Sequence, residues 1–158
     1  MSDGRHRQGS RARRSSGQAL TEFALVAPLF VLLLFAIIEG GRFIAYYETL
    51  SNATREGARY AIVHGSNSSC PSGPMPPGMN PPGGCYDLTG ANVVQRVKDT
   101  AFGLLGTDVV VTPTWGPLGN GREADVSVAA TYTYQTLVPL VPLPPMTITA
   151  ESTLVINN

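Results

Sequence analysis

From Phe23 to Ile38 the chain reads FALVAPLFVLLLFAII, sixteen residues without a charge. A run this apolar has to lie in a protein core or in lipid. In lipid it must be helical, because a helix satisfies every backbone N–H and C=O within the segment itself. A bilayer asks for roughly 20 residues of helix. The uncharged stretch falls slightly short, so the expected span widens to about residues 20–42, with Glu22 and Glu39 near its two ends. Pro28 sits inside it and should kink it, since proline removes one i→i−4 bond.

Charge gives this span a direction. The formal net charge of the 158 residues is zero, but residues 1–17 hold Arg5, Arg7, Arg11, Arg13 and Arg14 against the single acid Asp3. The remainder has six lysines and arginines against ten acids, a net of −4. By the positive-inside rule the N-terminus is cytoplasmic and the C-terminal bulk is exported, making a single-pass protein of the cytoplasmic membrane. The arginines occupy a Ser/Gly/Arg-rich tail too polar and too short to fold, not a folded basic face, so no nucleic-acid partner is expected. A cleaved secretory signal fits less well. The apolar core is longer than a usual h-region, and EGGRFIAYYE, which follows it, offers no A-x-A-like site. The pair Arg13–Arg14 lacks the apolar residue that a twin-arginine signal places soon after it.

A plain membrane anchor leaves Glu22 unexplained. A charge well inside a helical span costs about 2.5–3.5 kcal/mol on insertion scales. One use for a carboxylate there is to pair with a cation, and a free α-amino group released by cleavage just upstream would supply it. Cleavage after Gly17 would make Glu22 the fifth residue of the mature chain. Glycine at that junction lets a protease hold the backbone closely.

Past the span, the sequence EGGRFIAYYETLSNATREGARYAIVHG keeps helical periodicity. One row is Phe43, Tyr47, Leu50, Thr54, Gly57 and Ala61; a second is Tyr46, Ala53 and Tyr60. One helix over residues 18–63 would be roughly 70 Å long at 1.5 Å per residue, ending at His64–Gly65. The row of small residues reads as a packing seam, facing either this chain's own domain or a neighbouring subunit. Arg55, Glu56 and Arg59 fit either that seam's rim or a solvated face, and Arg42 could simply snorkel beside Glu39.

Two blocks carry a family resemblance. GQALTEF, with Gly17, Gln18, Glu22 and Phe23, resembles the type IV prepilin processing motif in the glutamate–aromatic form of Flp-type pilins. IIEGGRFIAYYETLSNATREGARYA resembles the TadE-like family of tight-adherence pilus proteins, through Glu39, Gly41, Arg42, Asn52, Arg55, Glu56, Gly57 and Arg59. Together they cover about residues 16–63, and Gly40 stands where the family carries an aromatic. The resemblance implies a minor pilin or pseudopilin, cut by a membrane prepilin peptidase between Gly17 and Gln18. Its partners would be other pilins and the tight-adherence assembly platform. It implies no cofactor and a peptidase substrate instead of an enzyme. The rival reading is an uncleaved bitopic scaffold or binding protein.

The rest of the chain predicts a Pro/Gly-rich loop over residues 64–90 and a small α+β domain over 91–158. If the exported side is oxidising, Cys70 and Cys85 pair. They would close a loop of about sixteen residues, worth roughly 3 kcal/mol in the chain-entropy model; otherwise they are two thiols. NVVQRVKDTAFGLL (Asn92–Leu105) predicts a short amphipathic helix, with Val93, Val94, Val97, Ala101, Leu104 and Leu105 on one face. Strands are predicted over Asp108–Trp115, Glu123–Thr136 and Met146–Ile156, with Pro113 marking an edge or a strand end. They would form an antiparallel meander packed on a helix. The apolar, proline-broken stretch Leu137–Pro145 would touch a partner pilin or the outer leaflet, or else fold over the domain's own core. Asn52 and Asn67 open glycosylation acceptor triplets, a pattern common by chance. The two histidines, His6 and His64, lie far apart, so no metal site is expected. There is no GxxxxGK[ST] loop for a nucleotide.

Overall fold

The computed structural model describes residues 9–81, 83–101, 108–137 and 144–157, with side chains from residue 17 onward. The elements run α1 (Gly9–Val63), α2 (Ala91–Ala101), β1 (Val110–Trp115), β2 (Asp125–Tyr134) and β3 (Met146–Val155). A long N-terminal helix, one short helix and a three-stranded antiparallel sheet make the α+β class that the sequence predicts. Contacts divide the chain into two units, Met1–Gly41 and Arg42–Asn158.

In the first unit the apolar part of α1 faces outward all round; Phe23 is 70% exposed and Leu29 67%. Among the described residues, α1 is the one helix long and apolar enough to cross a membrane. It runs unbroken past Pro28 and begins at Gly9, so its backbone takes in Arg11, Arg13 and Arg14. The expectation of a wholly unfolded basic tail is corrected here. Nucleation is the costly step in helix formation, and once the apolar segment is helical each added residue gains a hydrogen bond. Arg5 and Arg7 lie outside the described residues.

In the second unit the last third of α1 turns amphipathic. Leu50, Ala53, Thr54, Ala58 and Ala61 are buried, whereas Tyr47, expected on the same row, is exposed. α2 buries Val93, Val97 and Ala101. Leu104 and Leu105, expected on that helix, lie outside the described residues. The strands stand in the order β1-β2-β3, so β2 is central. Val126, Val128, Ala130 and Tyr134 of β2 are buried on one face, joined by Ile148 and Ala150 of β3. The two-residue side-chain period puts Ser127, Thr131, Thr133, Thr149, Glu151 and Thr153 on the other face. Pro113 lies in β1, an edge strand, where its missing N–H breaks no ladder bond with an inner neighbour. β2 starts at Asp125, not at Glu123, because Glu123 has a left-handed φ of 66° that extended backbone does not allow.

The loop between the helices is fastened by polar groups. Asp87 accepts from the Ser72 hydroxyl at 2.9 Å, the Thr89 N–H at 3.1 Å and hydroxyl at 3.0 Å, and the Asn92 N–H at 2.8 Å. The last of these satisfies an orphan donor in the first turn of α2, the usual work of a capping carboxylate. Burial alone would raise the Asp87 pKa, but the donors from Asn92, Ser72 and Thr89 outweigh it and hold the carboxyl below its ordinary 3.8. The Asn120 backbone receives Ser66 N–H at 2.9 Å and donates to Pro74 C=O at 2.6 Å. The Trp115 ring lies against Gly73 and Gly90, both at positive φ (108° and 72°); a Cβ at either would collide with the indole. Cys70 and Cys85 are joined, with Cα atoms 5.0 Å apart.

Two outcomes follow for the full chain in detergent micelles, read by denaturant unfolding with Trp115 fluorescence. Asp87→Ala should lose about 1–2 kcal/mol, the usual cost of removing a capping side chain. Because the folded pKa lies below the unfolded value of 3.8, the contribution of Asp87 is fully present above that pH. It fades as pH falls through the folded value, and the Asp87→Ala variant should not show this component. Replacing Cys70 and Cys85 together by serine should cost about 3 kcal/mol.

Candidate processing and packing sites

In the first unit the motif residues Gly17, Gln18, Glu22 and Phe23 all lie on exposed helix. Gln18 Nε2 donates to Glu22 Oε1 at 3.0 Å, an i,i+4 pair. The Thr21 hydroxyl donates to Gly17 C=O at 3.0 Å. Around Gly17 there is open space, with nothing within 4 Å of where a Cβ would stand. Its backbone is helical, so a protease that holds extended substrate must first unwind it. Glycine lowers that barrier, since in a helix interior it is about 1 kcal/mol less favourable than alanine. Gly41 is equally open, and Glu39 is half-exposed.

In the second unit the seam on α1 meets this chain's own domain. A Cβ on Gly57 would collide with Val97 Cγ2 of α2 and lie 3.4 Å from Val128 Cγ1 of β2 and 3.8 Å from Val93 Cγ1 of α2. Glycine is therefore what lets the helix approach both α2 and the sheet. Thr54, buried beside it, donates its hydroxyl to Ser51 C=O at 2.9 Å, so this seam hydroxyl is paired. Asn52, Arg55 and Arg59 are exposed. Glu56 is half-buried and bonds Arg96 of α2, with Nη2 at 2.6 Å and Nε at 3.2 Å from Oε1. That hydrogen bond, together with the Glu56 charge, raises the Arg96 pKa above its ordinary value. The pair is partly solvated, so it orients α2 more than it stabilises it.

At the start of the unit, Arg42 belongs to an aromatic cluster that sequence periodicity does not reveal. Its guanidinium lies 5.7 Å from the Tyr46 ring centre and 5.6 Å from that of Tyr134. Tyr46 stacks on Tyr132 with centroids 5.4 Å apart, and Phe43 meets Tyr134 edge-on at 5.5 Å. Burial pushes the Tyr132 phenol up, reinforced by Tyr46 and Asp108 and opposed by Arg42. The available signal was Tyr132 and Tyr134 on the apolar face of β2, but nothing in the strand tells which helix residues they meet. Asp87 and Arg96 were missed as well. Their partners lie fifteen and forty residues away in sequence, Ser72 for Asp87 and Glu56 for Arg96.

The TadE-like protein family model matches residues 17–59 of this chain, the region on which the resemblance was read. No curated protein and no solved structure matches the chain. A TadE-like segment on a long, exposed apolar helix fits a single-pass, pilus-associated membrane protein.

The seam has a direct test. Gly57→Leu should destabilise the second unit by about 1–3 kcal/mol through overpacking. Val97→Ala in the same chain should recover part of that loss by making room. Asn52→Ala, on exposed helix, should stay within about 0.5 kcal/mol of the parent. Denaturant unfolding of the full chain in micelles measures all three.

Proposed function

We propose that this chain is a minor pilin or pseudopilin of the tight-adherence, Flp-type pilus. The observation carrying this reading is that one stretch of helix holds three things together: the TadE-like match over residues 17–59, a fully exposed apolar surface, and a Gly17–Glu22 processing motif at its head. The arginine-rich leader stays in the cytoplasm and directs insertion, and Arg42–Asn158 is exported. A prepilin peptidase cuts between Gly17 and Gln18. Glu22 then neutralises the new amino group of Gln18, on a neighbouring subunit, and fixes the register of helices packed in apolar surroundings. The energy for assembly comes from a separate ATPase.

The Gln18–Glu22 hydrogen bond supports a waiting state for this mechanism. Before assembly, a carboxylate near the head of an apolar span needs a donor, and the amide four residues back is within reach. During assembly an ammonium ion is the stronger partner, because charge-assisted hydrogen bonds are roughly twice as strong as neutral ones. The packing seam plays a different part. Gly57 and its neighbours are occupied by α2 and β2 of the same chain, so Leu50 to Ala61 packs within this unit and not against a neighbour. The exposed side chains Asn52, Arg55 and Arg59 are what this helix offers to other subunits.

An uncleaved bitopic scaffold is the second reading, and the unbroken helix through Gly17 favours it. Co-expression with an active prepilin peptidase, followed by intact mass and N-terminal sequencing, separates the two. The pilin reading expects a chain starting at Gln18. It also expects Glu22→Ala to insert into the membrane normally yet fail to enter filaments. A retained leader, with the peptidase active on a known pilin, would overturn it.

A further inference from the structure

An open sheet has two outer strands, and here their edges differ. Two bonds set the phase of the ladder. Gly116 N–H donates to Asp125 C=O at 2.9 Å, and Ile156 N–H donates to Ala124 C=O at 2.9 Å. Opposite residues of an antiparallel pair alternate between bonded and non-bonded pairs. Odd-numbered residues of β2 therefore bond β1, and even-numbered ones bond β3. By the same alternation, β1 turns the backbone of Val111, Pro113 and Trp115 to its outer edge. β3 turns out that of Thr147, Thr149, Glu151, Thr153 and Val155. Proline has no N–H, so Pro113 interrupts the β1 edge at its middle position. β3 has no such block. Met146–Val155 contains no proline or lysine, and no bulge breaks its register with β2; these are the devices that keep an edge from pairing. All five outward residues are exposed, and among the described residues no group bonds their N–H and C=O. Such an edge is a template for one more strand.

The side chains along that edge define what can pair with it. Glu151, the middle one of the five, carries the only charge in β3. The Ser127 hydroxyl donates to its carboxylate, and the Thr153 hydroxyl donates to Ser127 Oγ at 3.0 Å, which steadies the charge over the outer face of the sheet. On the core face Ile148 and Ala150 are buried and Leu154 is half-buried, so an added strand must alternate apolar and polar residues. A second copy of β3 fits poorly. Antiparallel pairing of all five outward residues sets Glu151 against its own counterpart, and like charges directly opposite are destabilising. β1 of a second copy is closed by Pro113. We propose that the β3 edge receives an extended segment of a different polypeptide, alternating apolar and hydroxyl-bearing residues, with a lysine or arginine opposite Glu151. Backbone bonds supply the affinity and Glu151 the selection. Neither the membrane span nor processing at Gly17 enters the pairing.

Amide hydrogen exchange, read by NMR on the full chain in detergent micelles, tests this. The probe is the synthetic peptide Thr-Val-Thr-Val-Lys-Val-Thr-Val-Thr. A second peptide carries glutamate in place of lysine, and a third is the lysine peptide N-methylated on its threonine and lysine nitrogens. The lysine peptide should slow exchange at the amides of Thr147, Thr149, Glu151 and Thr153. The glutamate peptide should bind about three- to tenfold more weakly, and Glu151→Lys should reverse that order. The N-methylated peptide should protect none of these amides. Thr149→Pro removes an outward N–H without removing a bond to β2, so it should unfold at the parent's denaturant midpoint and lose the protection. If that variant does not fold, the N-methylated peptide decides the same point. No protection by the lysine peptide, equal binding of the lysine and glutamate peptides, or protection by the N-methylated one would overturn the proposal. So would slow exchange at these amides before any peptide is added. Slowing that grows with protein concentration would make a second copy the occupant, and slowing independent of it would make the occupant a segment of this chain.

Discussion

Everything in the Arg42–Asn158 unit depends on how closely α1 approaches α2 and the sheet. At Gly57 there is no room for a methyl group against Val97. Ala53, Ala58 and Ala61 keep the same face low, and Leu50 fills the gap one turn earlier. Small residues on the helix and valines on α2 and β2 bring many carbon atoms to contact distance, where individually small dispersion gains add up. A three-stranded sheet with one short helix has little apolar area of its own to bury. The end of α1, from Leu50 on, supplies the missing layer.

That dependence explains why α1 changes character along its length. Up to Gly41 its apolar residues point outward in all directions, as a helix solvated by lipid requires. From Leu50 onward they are gathered on one face and the polar residues on the other. Between these two regimes lie Arg42, Phe43 and Tyr46, where cationic and aromatic groups tolerate both surroundings. A single continuous helix thus carries an all-round apolar segment and an amphipathic one.

The polar fastenings do a different job. The segment from Ser66 to Gly90 is rich in proline and glycine and buries few large side chains, so hydrophobic area does not hold it. Asp87, the Asn120 backbone, the Cys70–Cys85 bond and the Trp115 ring resting on two glycines hold it instead. Most of these are directional contacts. They give one loop conformation, and they tie the N-terminus of α2 to the place where α1 ends.

Read alone, the sequence determined the features whose physics is local. An uncharged run of sixteen residues dictates a helix in lipid or a core. A period of two dictates which side of β2 is buried, and His64–Gly65 marks where α1 stops. The glycine–glutamate motif and the TadE-like block were readable for the same reason, being short and contiguous. What only the tertiary structure decided is which surfaces meet. Glu56 with Arg96, Tyr46 with Tyr132, and Gly57 with Val97 join residues forty or more positions apart. Helical periodicity shows that a face is apolar without showing what covers it. It therefore left open whether the seam served a neighbour or the chain itself, and it put Tyr47 on a buried row when that side chain is exposed. Those choices follow from three-dimensional packing, in which each contact is fixed by the shape of a partner that no local pattern contains.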